Sequence, residues 1–222
     1  MGKMIELTAA DGHKLAAYRA EPAGKARGAV VVIQEIFGVN SHIKSVADGY
    51  AADGYLAIAP AMYDRAQRNY ETGYSQPEIQ AGIAIMQKLD WKQTMADVDA
   101  AVKEAKGAGK VGVVGYCWGG TVTWVAASRT AGIACAVPYY PGGIASFADD
   151  APKIPVMANF GEQDQSPTPE QAKAVLAKHP AVVGHFYAAG HGFNCDQRGS
   201  YNAEASKLAR TRTLEFFRKH IG

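Results

Sequence analysis

The sequence predicts an α/β fold in which a mainly parallel central sheet carries helices on both faces, compact and without a large lid domain. Three observations carry this expectation. Runs such as Ala29-Val30-Val31-Val32-Ile33 and Val111-Gly112-Val113-Val114 are apolar throughout, as strands covered on both faces must be. Segments with helical spacing alternate with them along the chain. Finally, three of the strand-like runs open into glycine-marked loops that carry a thiol, a carboxylate and a histidine.

The elements follow in order. Ile5 to Thr8 and Lys14 to Arg19 flank the turn signal Asp11-Gly12 and read as an antiparallel hairpin at the sheet edge. Ala29 to Ile33 is the first buried strand, followed by a loop and a helix over His42 to Ala52. Gly54 ends that helix, and Tyr55 to Ala59 resumes the sheet. Pro60 to Pro77 is polar and irregular, with Arg65, Arg68, Tyr70 and Tyr74, and reads as the rim of a cleft. Helices are expected around Ile79 to Leu89 and Thr94 to Lys106. A strand from Val111 then enters a helix that runs through Ser128. Strands at Ile133 to Val137, Ile154 to Phe160 and Val182 to Tyr187 follow, with helices at Pro169 to Lys178 and Asn202 to His220. No repeat, linker or low-complexity tract divides the series, so residues 1–222 are read as a single domain.

Composition excludes several function classes. The 23 basic and 21 acidic residues form no basic block, which argues against a nucleic-acid partner. The N-terminal residues lack the apolar centre of a signal peptide, and no unbroken apolar run approaches membrane-spanning length. The expectation is therefore a cytoplasmic protein with no membrane partner, a monomer or weak dimer acting on a small molecule. Three cysteines, Cys117, Cys135 and Cys195, suit a reducing compartment better than a disulfide framework. Cys195 and the histidines His13, His42, His179, His185 and His220 show no metal-ligand spacing, so no metal or organic cofactor is expected.

The chemistry centres on Gly115-Tyr116-Cys117-Trp118-Gly119-Gly120. A strand that enters Gly-x-Cys-x-Gly and leaves into a helix has the pattern of a nucleophile elbow, with sulfur in place of oxygen. Glycines are needed there because a Cβ would collide in so tight a corner. A free thiol is only a few per cent thiolate near neutral pH, so Cys117 requires a base or a stabilised anion. The helix N-terminus favours the anion. Downstream, Gly161-Glu162-Gln163-Asp164 places a carboxylate after a strand, and Gly190-His191-Gly192 brackets a loop histidine. Asp164 and His191 are the candidate orienting acid and base. The chain order of nucleophile, acid and histidine is that of the α/β-hydrolase fold.

Three blocks extend this reading: Gln34-Glu35-Ile36-Phe37-Gly38-Val39-Asn40, the Cys117 elbow, and Gly190-His191-Gly192-Phe193. With them the chain resembles, over nearly its whole length, the dienelactone hydrolases (carboxymethylenebutenolidases) of the α/β-hydrolase superfamily. The resemblance implies opening of a cyclic unsaturated ester, 4-carboxymethylenebut-2-en-4-olide, to maleylacetate in the degradation of aromatic compounds, without a cofactor. It also implies a Cys117–His191–Asp164 triad, a thioester intermediate and a second carboxylate, Glu35, that keeps the resting thiol protonated. The backbone N–H groups of Trp118 and Ile36 then occupy the usual oxyanion positions. Phe37 and Tyr63 match the cleft segments.

The family holds a substrate carboxylate with two arginines, one of them four residues after the histidine. That position is Cys195 here; the nearest arginine is Arg198, and Arg65 and Arg68 are the other cations of the rim. Loss of the arginine pair favours a second reading, a general carboxylesterase or thioesterase for small uncharged esters. A third is a non-catalytic ligand-binding or redox-sensing protein that uses Cys117 as a reactive thiol.

Overall fold

The computed structural model describes residues 2–222. The expected hairpin is β1 (Lys3–Thr8) and β2 (Lys14–Ala20), turned by Gly12 in the left-handed region at φ 83°. The remaining strands are β3 (Ala29–Ile33), β4 (Leu56–Pro60), β5 (Val111–Tyr116), β6 (Ile133–Tyr139), β7 (Met157–Gly161) and β8 (Val183–Tyr187). All eight form one sheet in the order β1-β2-β4-β3-β5-β6-β7-β8. Pairing is antiparallel for β1/β2 and β2/β4 and parallel elsewhere.

Every residue of β3, β4 and β5 is buried, because helices cover both faces. On one face lie α1 (Ser41–Ala52) and α6 (Ala203–Ile221), which contribute Tyr50, Phe217 and Ile221 to one core cluster. On the other lie α3 (Trp91–Ala105), α4 (Trp118–Arg129) and α5 (Pro169–Lys178), which contribute Val98, Val125 and Val175 to the second. Among the described residues no helix is long and apolar enough to cross a membrane.

Several boundaries differ from the sequence reading by two or three residues, and two of them have a plain local cause. Helix α2 (Gln76–Met86) starts inside the stretch read as irregular. Pro77 sits in its first turn, where a missing N–H costs nothing, and Ser75 and Glu78 form a capping box. Conversely, β7 starts at Met157 rather than Ile154: Pro155 has no N–H to donate, and Val156 makes only an isolated bridge to Ala136.

The strand order sets the position of the site. From β3 the chain passes outward to β4, and then crosses back to β5 on the other side of β3. The loops after β3 and β5 therefore diverge and open a crevice at the carboxyl ends of the parallel strands, where open α/β sheets bind ligands.

Candidate active site

Cys117 links β5 to α4 with φ 56° and ψ −120°, an unfavourable conformation for a residue bearing a side chain. The surrounding glycines make it attainable. A Cβ on Gly115 would press into the carbonyl oxygen of Gly119, and one on Gly119 would meet the backbone of Ile33 and Gln34. The corner thus presents the thiol at the start of a helix, half-buried, at the wall of a cleft of about 590 Å³.

The loops after β7 and β8 bring Asp164 and His191 together. Asp164 Oδ2 lies 2.9 Å from His191 Nδ1, and its Oδ1 accepts from the Ser166 N–H at 2.8 Å. The carboxylate is buried, so it fixes the ring tautomer with Nδ1 protonated. Burial pulls the imidazole pKa down, but the adjacent Cys117 sulfur and the Asp164 carboxylate outweigh it and lift His191 from 6.5 to about 10. His191 and Cys117 both line the cleft.

The segment after β3 reaches the same cleft. Buried Gln34 ties it down, its Oε1 accepting from the Met62 N–H at 3.1 Å and its Nε2 donating to the Glu35 carbonyl at 3.2 Å. Asn40 caps α1 by accepting from the Ile43 N–H. Between these anchors Ile36 and Phe37 line the cleft. Neither the Ile36 nor the Trp118 amide donates a hydrogen bond within the described residues, so both remain free to meet an incoming oxygen.

The structure separates the remaining expected residues. Tyr63 does not line the cleft: it is 1% exposed, donates to the Gly82 carbonyl at 3.1 Å and packs behind Trp118 at 5.4 Å between ring centroids. Arg65 does not face substrate either. Its guanidinium grips Asp97 through two 2.7 Å contacts and Asp11 through a third at 2.8 Å, against α3 and the hairpin turn. Arg68 donates to the Lys14 carbonyl at 3.1 Å.

Arg198, which matches no motif position, is the one Lys or Arg among the described residues that line the cleft. Its Nη1 lies 3.2 Å from Glu35 Oε1, and its guanidinium stands 5.4 Å from the Phe37 ring centroid. Three successive turns, closed by the Cys195, Arg198 and Tyr201 amides, bring the chain back toward the histidine loop. Gly192, at φ 78°, leaves the space: a Cβ there would lie 2.8 Å from the Arg198 Cζ. The sequence signal was the glycine after His191, which permits a left-handed turn and also makes room for a cation.

A thiol on a strand-to-helix corner, a histidine–aspartate pair and a cleft at the topological switch point are the arrangement of an α/β hydrolase. The chain belongs to the dienelactone hydrolase family, whose sequence profile matches residues 15–221. It is 33% identical to a Synechocystis sp. protein provisionally named a carboxymethylenebutenolidase, over 94% of this chain and 93% of that one. It is 29% identical to carboxymethylenebutenolidase 1 of Cupriavidus pinatubonensis, over 95% and 94% of the two chains. The crystal structure of a provisionally named dienelactone hydrolase from Klebsiella pneumoniae superposes with a TM-score of 0.82 at 29% identity, covering 98% of this chain and all of that one. The protein is accordingly a hydrolase acting on esters or lactones.

Proposed function

We propose that this hydrolase opens a lactone bearing a carboxylate, foremost 4-carboxymethylenebut-2-en-4-olide to maleylacetate, with Cys117 as nucleophile, His191 as base and Asp164 as the group that orients it. The observation that carries this reading is the meeting, on one cleft, of the strained Cys117 corner, the 2.9 Å His191–Asp164 contact and a single arginine.

In this mechanism His191 holds the thiol proton, as its raised pKa favours, and the sulfur attacks the lactone carbonyl carbon. The Trp118 and Ile36 amides receive the developing oxyanion. Collapse breaks the ring C–O bond and leaves the acyl group on sulfur as a thioester, with the enolate still attached to it. The tethered enolate takes a proton from water and becomes the ketone, the hydroxide so formed attacks the thioester, and the departing Cys117 thiolate regains its proton from His191 as the carboxylic acid leaves. Arg198 receives the substrate carboxylate by a charge-assisted contact. In doing so it loosens its hold on Glu35.

A specific observation favours a second reading. Ile79, Ile83, Met86 and Leu89 make the far wall of the cleft apolar, which suits an uncharged ester. One experiment separates the two: kcat/KM on the carboxylate-bearing dienelactone and on a neutral aryl ester of similar size, with Cys117→Ala as the blank. Cys117-dependent preference for the dienelactone supports the first reading, and preference for the neutral ester supports the second. Full activity of Cys117→Ala refutes both.

A further inference from the structure

Apart from the triad, the fold gathers a second cluster that no sequence spacing announces. Glu35 from the loop after β3, His42 from α1 and Cys195 from the loop before α6 are all buried, and one potential ligand atom of each lies within 4.8 Å of the other two. His42 is 3% exposed, and its Nδ1 lies 3.0 Å from Oδ1 of the surface residue Asp196. A carboxylate only accepts, so Nδ1 carries a proton, and in the neutral ring Nε2 keeps its lone pair. That Nε2 is buried and has no hydrogen-bond partner. A buried acceptor without a partner is a group that a bound ion would satisfy.

We propose that Glu35, His42 and Cys195 form a binding site for one divalent transition metal ion of the zinc class, with Asp196 holding His42 in its ligating tautomer. The donor set of one imidazole nitrogen, one sulfur and one carboxylate oxygen is of the borderline-soft kind that zinc selects over magnesium or calcium. The aspartate behind the histidine is the arrangement that orients metal-bound imidazoles. His42 and Asp196 also border a solvent-open depression of about 290 Å³, which gives an ion a path to the cluster.

Closing the site requires the ligand atoms to draw in to the roughly 3.5 Å separations that follow from zinc bonds of 2.0–2.3 Å. When the metal–sulfur bond forms, the Cys195 proton passes to solvent and His42 binds neutral. The thiolate and carboxylate then balance the dication, and water takes the fourth position. Cys117 is not one of the ligands, but Glu35 also meets Arg198 at 3.2 Å, so the two sites share one carboxylate; the thiolate band reports the metal site whether or not the hydrolytic reading holds.

The test is titration of the purified full-length chain with cobalt(II), a zinc stand-in that reports thiolate ligation by a near-ultraviolet charge-transfer band, followed by displacement with zinc. The expected result is one ion per chain and a band that is retained in Cys117→Ser and lost in Cys195→Ser. Because Asp196 is on the surface, Asp196→Asn folds normally and should weaken binding by about tenfold or more. Absence of the band in the wild-type chain, its survival in Cys195→Ser, its loss in Cys117→Ser or unchanged affinity in Asp196→Asn would overturn the assignment.

Discussion

Replacing Arg198 by Met keeps most of the side-chain volume and removes the cleft's single arginine. Two consequences follow from the structure. The first is kinetic: a charge-assisted hydrogen bond to a substrate carboxylate contributes about 1.5–3 kcal/mol, so the selectivity for the dienelactone over a neutral ester should fall about 10- to 100-fold. The second concerns stability. Glu35 is 1% exposed and loses its 3.2 Å partner, which strands a buried carboxylate. Breaking a fully buried pair costs about 3–5 kcal/mol. Since Arg198 keeps 17% exposure and the contact is long, about 1–3 kcal/mol is the better figure. At about 2–4 °C per kcal/mol for a chain of this size, Tm should drop by about 2–12 °C. The double variant Glu35→Gln/Arg198→Met leaves no charge unpaired and should recover most of that loss. Thermal melts of the three variants and kcat/KM on the two substrates make the assay. An unchanged selectivity ratio would refute Arg198 as the carboxylate-binding group, and a double variant no more stable than Arg198→Met would refute the coupling to Glu35.

Arg65→Met should lower stability by about 3 kcal/mol without changing KM for the dienelactone, because Arg65 holds buried Asp97 rather than substrate; a raised KM with an unchanged melt would reverse that placement. Burial already lifts the Asp97 carboxyl pKa despite the arginine, so the pair adds little net stability while the loss of one partner is costly. His191, raised from 6.5 to about 10, contributes stability that is complete below pH 6.5 and lost as pH rises through about 10. The Tm advantage over His191→Gln should therefore shrink across that window, and a gap that widens with pH would contradict the cause assigned to the shift.

What was legible in the sequence was what the backbone itself dictates. The β5–α4 corner was readable because Gly115 is required by the Gly119 carbonyl four residues on, a constraint written locally, whereas Gly119 is required by the distant backbone of Ile33 and Gln34 at the end of β3. Asp164 and His191 were readable because each follows a strand whose end the sheet fixes. Helix α2 was missed because its start depends on Ser75 and Glu78 capping around Pro77, inside a stretch whose polarity suggested a loop.

The rim residues are another matter, since their partners come from distant segments. Arg65 looked like a cleft cation because of its neighbours in sequence; Asp97, 32 residues away, turns it inward. Arg198 looked incidental because the family position is 195, yet the turns from Gly192 to Tyr201 return its guanidinium to Glu35. The thiol at 195 is itself next to Glu35, where burial first and that carboxylate second push its pKa up to about 11. A cysteine where the family has arginine is therefore not a simple loss of charge from the site. The charge arrives from three residues further along, through space that Gly192 leaves open, while the vacated position places a sulfur beside a carboxylate and an unpartnered imidazole. Both proposals, Arg198 as the carboxylate-binding group and Cys195 as a metal donor, thus rest on one exchange between neighbouring turns, so the two should be tested in the same set of variants.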